Sequence, residues 1–303
     1  MREDRMFKVK ILYDVPEWSY YWRYKALEKY APSNFIISGG DGRGQVYHED
    51  DFDLVLQMCY SYTKTQKEYI ILNKKNTKLI SIFTIGWNHA NEYIPDCIKY
   101  SDRVIMTNYD IWSKNGKNQK TKYISNGVDL DIFKIKIPTE TRKHKVLWIG
   151  SEGHRTVKNY DSIIIPLKEL LLKNNVDFDF KLINSTGTQK LNQDQMCDWY
   201  NSGTLFIMSS SREGTPNPLL ESAACGCVPI STSAGIAPEL INDTNGLLCD
   251  ISYESIYNNI NVAIKNYDNF SKNMKETIKG WSWEIKSKQY FDLFKEVILE
   301  SNI

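Results

Sequence analysis

Strand-length apolar runs alternate with amphipathic, helix-spaced segments along nearly the whole chain, and few fold classes accept that rhythm. FKVKILYD (7–14), NFIIS (34–38), FDLVLQMCY (52–60), KLISIFTIG (78–86), RVIMTNY (103–109) and KYISNG (122–127) read as strands. YYWRYKALEKY (20–30) and NEYIPDCIKYS (91–101) lie between them with helical spacing. Strand, helix, strand in repetition is the pattern of a parallel sheet covered by helices.

The rhythm breaks once, in the polar, charged, Pro-containing stretch IKIPTETRKHK (135–145), and then restarts with KVLWIGS (145–151). A chain of 303 residues exceeds one ordinary core, so the break is read as a domain boundary. The expected fold is α/β: two facing, Rossmann-like, doubly wound domains, 1–138 and 139–280, with a closing helix over 281–303. Ligands of such sheets sit beyond the carboxyl ends of the strands.

Lys and Arg nearly balance Asp and Glu, for a formal charge of +1, so no global field draws the protein onto nucleic acid. The six cysteines lack paired metal-ligand spacing, and no signal peptide precedes the first apolar run, so a cytoplasmic protein is expected. The Cys225-x-Cys227 pair sits at an Ala-rich helix end and reads as buried thiols. No apolar run reaches the ~20 residues that span a bilayer. Any membrane contact is expected to be peripheral, at the inner face.

The stretch SREGTPNPLLESAACGCVPIST (211–232) carries the chemistry. Glu213 follows a strand, Thr215 to Pro218 form a loop that cannot be regular structure, and LLESAACG then has helical spacing. A helix start offers backbone N–H groups and the positive end of a dipole to a phosphate or diphosphate, here around Asn217 to Leu219. A carboxylate accepts hydrogen bonds from vicinal hydroxyls, so Glu213 and Glu221, one on each side of a phosphate site, suit a sugar and a ribose. Taken alone, the pair reads more readily as one Glu steadying a loop and another favouring a first helical turn.

The surrounding residues change that balance. WYNSGTLFIMSSSREGTPNPLLESAACGCVPISTSAGIAPELINDTNGLLCD (199–250) resembles the donor-binding half of family 4 glycosyltransferases, retaining enzymes of the two-domain GT-B fold. The likeness runs through Glu213, Gly214, Pro216, Leu220, Glu221, Ala224, Gly226, Val228, Pro229, Gly235, Glu239, Asn245 and Gly246 in order. YISNGVDLDIF (123–133), VLWIGS with Lys158-Asn159, and WSWEIKSKQYFDLFKEVI are weaker echoes, the last resembling a helix that returns to the first domain.

The resemblance implies a hexosyltransferase whose donor is a nucleotide diphosphate sugar. Glu213 would meet the donor sugar's hydroxyls, Glu221 the ribose and Lys158 the diphosphate. Gly150, Gly214, Thr215, Asn217, Pro218 and Leu219 would line the donor, with Arg155 a second basic candidate at unusual spacing. It also implies retention of configuration, no metal and no cofactor, the leaving phosphate taking the acceptor's proton. The Asp-x-Asp triplets at 51–53, 129–131 and 177–179 read as strand ends and a turn rather than a metal site.

The first half departs from the family. DVPEWSYYWRY lacks the Gly-Gly loop, and GGDGRG (39–44) reads as a turn. The family's His after a strand like KLISIFT is displaced to His89, which either reaches the anomeric centre or simply starts a helix. Trp18, Tyr20, Tyr21, Trp22 and Tyr24 suit a sugar face or a membrane interface, and equally a packed helix face. The expected partners are a nucleotide sugar and a glycan or lipid-linked acceptor. Two other readings remain: a non-catalytic nucleotide-sugar-binding partner subunit, and a transferase acting on modified DNA bases, against which the near-neutral charge weighs.

Overall fold

In the computed structural model the apolar runs of the first half become six strands: β1 (Phe7–Tyr13), β2 (Phe35–Asp41), β3 (Leu54–Gln57), β4 (Lys78–Phe83), β5 (Arg103–Met106) and β6 (Thr121–Tyr123). They pair in the order β2-β1-β3-β4-β5-β6. The second half forms β7 (Lys145–Ser151), β8 (Asp177–Ile183), β9 (Leu205–Met208), β10 (Val228–Thr232) and β11 (Leu247–Cys249), in the order β11-β10-β9-β7-β8. Every pairing is parallel. β3, β9 and β10 are buried at every position, as strands covered on both faces must be. The structure describes residues 5–43, 51–74, 76–84, 90–115, 118–184 and 191–300.

Two compact units result, Met1–Gly127 with Trp283–Ile303, and Val128–Ser282. The Pro-containing stretch is therefore not where the chain changes unit. Val128 and Phe133 are buried in the core of the second unit, beside Tyr200, and the Val128 N–H donates to the Trp281 carbonyl at 2.8 Å. Residues 128–138 thus pack with the second unit although charge and proline suggested a boundary after them.

The helix Trp283–Leu299 belongs to the first unit, where Tyr290, Phe291, Phe294 and Val297 join Phe7, Val9, Phe35 and Leu54 in one core. Its Phe291 ring lies 4.9 Å from that of Phe35. In the same unit Tyr13 stacks on Tyr24 at 5.4 Å, and Tyr21 meets Tyr13 edge-on at 5.2 Å. Much of the aromatic segment is thus occupied with its own rings. Of the expected turn GGDGRG, Gly39 to Asp41 instead end β2, after which the Gly42 N–H donates to the Tyr13 carbonyl and the Arg43 N–H to Asp41; Gly44 lies outside the described residues.

Helices Thr63–Asn73 and Tyr109–Lys114 are not evident in the hydrophobic pattern, whereas the helix Tyr267–Thr277, overlooked in the sequence, buries Tyr267, Phe270, Ser271 and Met274 at helical spacing. TKTQKEYIILN has too little apolar periodicity for its helix to be read, and Ile71 and Leu72 are in fact exposed. Among the described residues, no helix is long and apolar enough to cross a membrane.

Candidate active site

In the second unit β8 lies on one side of β7, and β9 to β11 lie on the other. The direction of sheet growth therefore reverses between β7 and β9, and the crevice beyond their carboxyl ends is where such a sheet holds a ligand. Two loops leave this point, 152–159 after β7 and 209–216 after β9.

Hydrogen bonds lace the loops together. The Ser211 N–H donates to the Val157 carbonyl (2.9 Å), Asn159 Nδ2 to the Ser209 carbonyl (2.8 Å), and Ser209 Oγ to the Lys158 carbonyl (2.6 Å). Trp148 Nε1 donates to Ser209 Oγ at 3.1 Å from beneath. A Cβ at Gly150 would stand 2.5 Å from the Trp148 ring, so this glycine makes room for the indole that fixes Ser209. Asn159 adopts a left-handed φ of 53°, turning the chain into the following helix.

The lacing brings together two of the residues singled out in the sequence. Lys158 Nζ donates to Glu213 Oε1 at 2.5 Å, across 55 residues, with side-chain exposures of 17% and 16%. Ser210 Oγ donates to the same oxygen at 2.7 Å. The Glu213 loop is pressed against the loop after β10, where Gly235 has φ +61° and a Cβ would lie 2.4 Å from the Gly214 carbonyl oxygen. Only glycine satisfies both constraints. A small pocket opens between the loops, lined by Lys158, Ser209, Ser210, Pro216, Pro218 and Leu219.

Gly214 and Thr215 are buried, and the helix Asn217–Ala224 begins directly after them. Pro218 has no N–H, and the Leu219 N–H donates to the Pro216 carbonyl at 3.1 Å, so two of the three expected backbone donors are not offered to a ligand. Positive charge at this site falls mainly to Lys158.

One turn into the helix, Glu221 Oε2 accepts from the Tyr200 hydroxyl at 3.1 Å. Burial pushes the Glu221 carboxyl up to about 7, against the lowering effect of that bond. Burial also raises the Tyr200 phenol well above its ordinary value, so it stays the donor.

Arg155 lies apart from this group. Its Nε and Nη2 form a bidentate pair with Asp161 at 2.6 and 2.5 Å, and its guanidinium sits 4.8 Å from the centre of the Tyr160 ring. His89 lies outside the described residues.

His154, which sequence reasoning missed, is half-buried, and its carbonyl accepts the Lys158 N–H at 2.9 Å. Burial and the Lys158 charge lower its pKa, and Glu213 opposes them. Its place between Gly150 and Lys158 was the available signal. Tyr200 left no such signal, since nothing local ties it to a carboxylate 21 positions later.

The thiols of Cys225 and Cys227 are fully buried, Cys225 lying 3.7 Å from Cys197 Sγ. Among the described residues no cluster of His, Cys, Asp and Glu has the form of a metal site. The acidic triplets have structural partners: Asp53 pairs with Arg5, Asp129 accepts the Asp131 N–H, and Asp179 accepts Trp199 Nε1.

Residues 157–281 match the family model described as Glycosyl transferases group 1. The fold is similar to that of sucrose-phosphate synthase from Thermosynechococcus elongatus, with a TM-score of 0.72, 12% identity, and coverage of 98% of this chain and 100% of that one. Alr3699/HepE of Anabaena, crystallised with UDP and glucose, gives 0.73 and 13%, covering 96% and 100%. The catalytic domain of starch synthase IV from Arabidopsis thaliana, bound to ADP and acarbose, gives 0.72 and 11%, covering 98% and 100%. No curated protein matches at the level of sequence. The architecture is that of two Rossmann-like domains, as in these GT-B structures.

Proposed function

We propose that this chain, whose residues 157–281 match the group 1 glycosyltransferase model, moves a hexose-type sugar from a nucleoside diphosphate to a hydroxyl acceptor, with retained configuration and no metal ion. The observation that carries this reading is the Lys158–Glu213 pair at the reversal between β7 and β9, with Glu221 on the helix that follows. The UDP held by HepE and the ADP held by starch synthase IV support a nucleoside diphosphate as the leaving group here.

In this reading Glu213 accepts hydrogen bonds from the donor sugar, Glu221 from the ribose hydroxyls, and Lys158 lies against the diphosphate. Gly214, Thr215 and Asn217 line the junction between them, with Pro218 and Leu219 as wall. Arg155 joins only after leaving Asp161. The bond between the anomeric carbon and the diphosphate oxygen breaks, its electron pair going to the diphosphate and positive charge developing on the sugar. The acceptor oxygen then bonds to the same face of that carbon, and its proton passes to the departing phosphate oxygen. A fixed ammonium beside the leaving group stabilises the charge that develops there. The acceptor in this proposal is a glycan or glycolipid hydroxyl, met in the cytoplasm or peripherally at the inner membrane face.

The test is release of nucleoside diphosphate from a panel of nucleotide sugars by the wild-type chain, Glu213→Ala and Lys158→Ala. Turnover is expected with at least one donor, falling by about a hundredfold or more in the variants while melting temperature holds. Full activity in either variant would remove the proposed roles.

A further inference from the structure

Tyr200 lies in the last turn of the helix Gln193–Asn201 and is fully buried, its ring 5.9 Å from that of Phe206 and 6.2 Å from that of Phe133. The helix is anchored at both ends. Asn192 and Gln195 form a reciprocal cap at its start, and Asn201 Oδ1 accepts from the Lys136 N–H and from Arg142 at its close. The Tyr200 carbonyl accepts from Cys227 Sγ at 3.2 Å. Among the described residues, the polar contact of this phenol's hydroxyl is the 3.1 Å bond to Glu221.

We propose that Tyr200 is a positioning residue whose hydroxyl holds the Glu221 carboxyl ready for a nucleotide's vicinal diol. The proposal rests on the reading of Glu221 as the ribose contact. Two ribose hydroxyls donate two hydrogen bonds, which an ionised carboxylate accepts through both oxygens and a protonated acid, one oxygen carrying a proton, accepts less well. The titratable groups near Glu221 are the Tyr200 phenol and the Cys225 thiol, with Cys227 on the Tyr200 backbone carbonyl, and burial raises the pKa of each. Among the described residues no Lys or Arg is paired with Glu221, so the phenol is its stabilising donor in the free protein.

Two measurements test this. In protein labelled at the glutamate carboxyl carbons, with the Glu221 signal assigned by its loss in Glu221→Gln, the carboxyl is titrated in the unliganded wild type and in Tyr200→Phe. The midpoint is expected near 7 in the wild type. It should lie about one unit higher in the variant, the size expected for a lost hydrogen bond to a charged acceptor. Equal midpoints would overturn the positioning role without touching the donor reading.

Calorimetry with UDP-glucose and ADP-glucose, whose diphosphates have no proton to lose near neutrality, then follows binding from pH 5.5 to 8.5. Affinity should rise with pH through the Glu221 midpoint, and Tyr200→Phe should weaken binding roughly tenfold at pH 6.5 and little at pH 8.5. Equal weakening at every pH would contradict the inference. Failure of the wild type to bind either nucleotide sugar would count against the donor reading, while the carboxyl titration still decides the Tyr200 bond.

Discussion

The carboxyl ends of the two sheets differ in the kind of polar group they hold. Beyond β7 and β9 stand the Lys158–Glu213 pair, His154 and the half-buried Glu221. In the first sheet the described positions hold a different set: Gln57 bonds the Gly42 and Cys59 carbonyls, Tyr20 bonds Thr84, Asn108 caps a helix, and Asp41 at the end of β2 pairs with its neighbour Arg43. A diphosphate and a ribose present the same charges and hydroxyls whatever sugar is carried, so a site for them demands a set of partners. An acceptor hydroxyl imposes no comparable demand. On the proposed function, this is why one unit carries a recognisable signature and the other does not.

The contrast can be broken by substitution. Removing Glu213 or Lys158 should cost about 10²–10³ in turnover, the size found for a lost partner of developing charge. Steady-state rates of Glu213→Gln and Lys158→Met would measure it, and losses below tenfold would erase the difference between the units. Glu221→Ala should act on donor affinity instead, weakening it about 10- to 100-fold with a smaller change in the maximal rate, as expected for hydrogen bonds to a charged group. Calorimetric titration separates the two effects.

A third prediction concerns pH and stability. Because burial raises the Glu221 carboxyl from the usual 4.5 to about 7, the folded, unliganded protein holds a proton that the unfolded chain releases. This contribution is fully present below the unfolded value and is lost as pH rises through 7. The melting temperature of the wild type should therefore fall relative to that of Glu221→Gln between pH 5 and pH 8. Parallel curves would refute the assignment.

The smallest effects should come from residues placed outside the site. Asp51→Asn and Asp177→Asn should leave turnover within about twofold, with or without added divalent cations, because exposed carboxylates of this kind contribute little. A large loss restored by a metal would overturn the reading of the acidic triplets.

Much of the fold was legible in the sequence because parallel strands buried on both faces must be continuous apolar runs, and LVLQ, LFIM and VPIST are buried throughout. The change of unit was not, because Phe133 and Val128 join their core through long-range packing that charge and proline do not reveal. Glu213 and Glu221 could be named from the residue types that a phosphate, a diol and a helix start would favour at short spacing, and Lys158 from the family resemblance; their roles belong to the proposed function. The Lys158–Glu213 bond itself spans 55 residues and the Tyr200–Glu221 bond 21, so both depend on how the strands are ordered in the sheet. Arg155 illustrates the converse: its basic character was visible, its bidentate engagement with Asp161 was not.

The most direct test is a crystal of the full chain soaked with a nucleotide diphosphate sugar that raises its melting temperature. The account predicts the diphosphate beside Lys158, the sugar against Glu213 and the ribose on Glu221, all at the carboxyl ends of β7 and β9. Ligand density elsewhere, with Lys158 and Glu213 still bonded to each other and untouched, would contradict it.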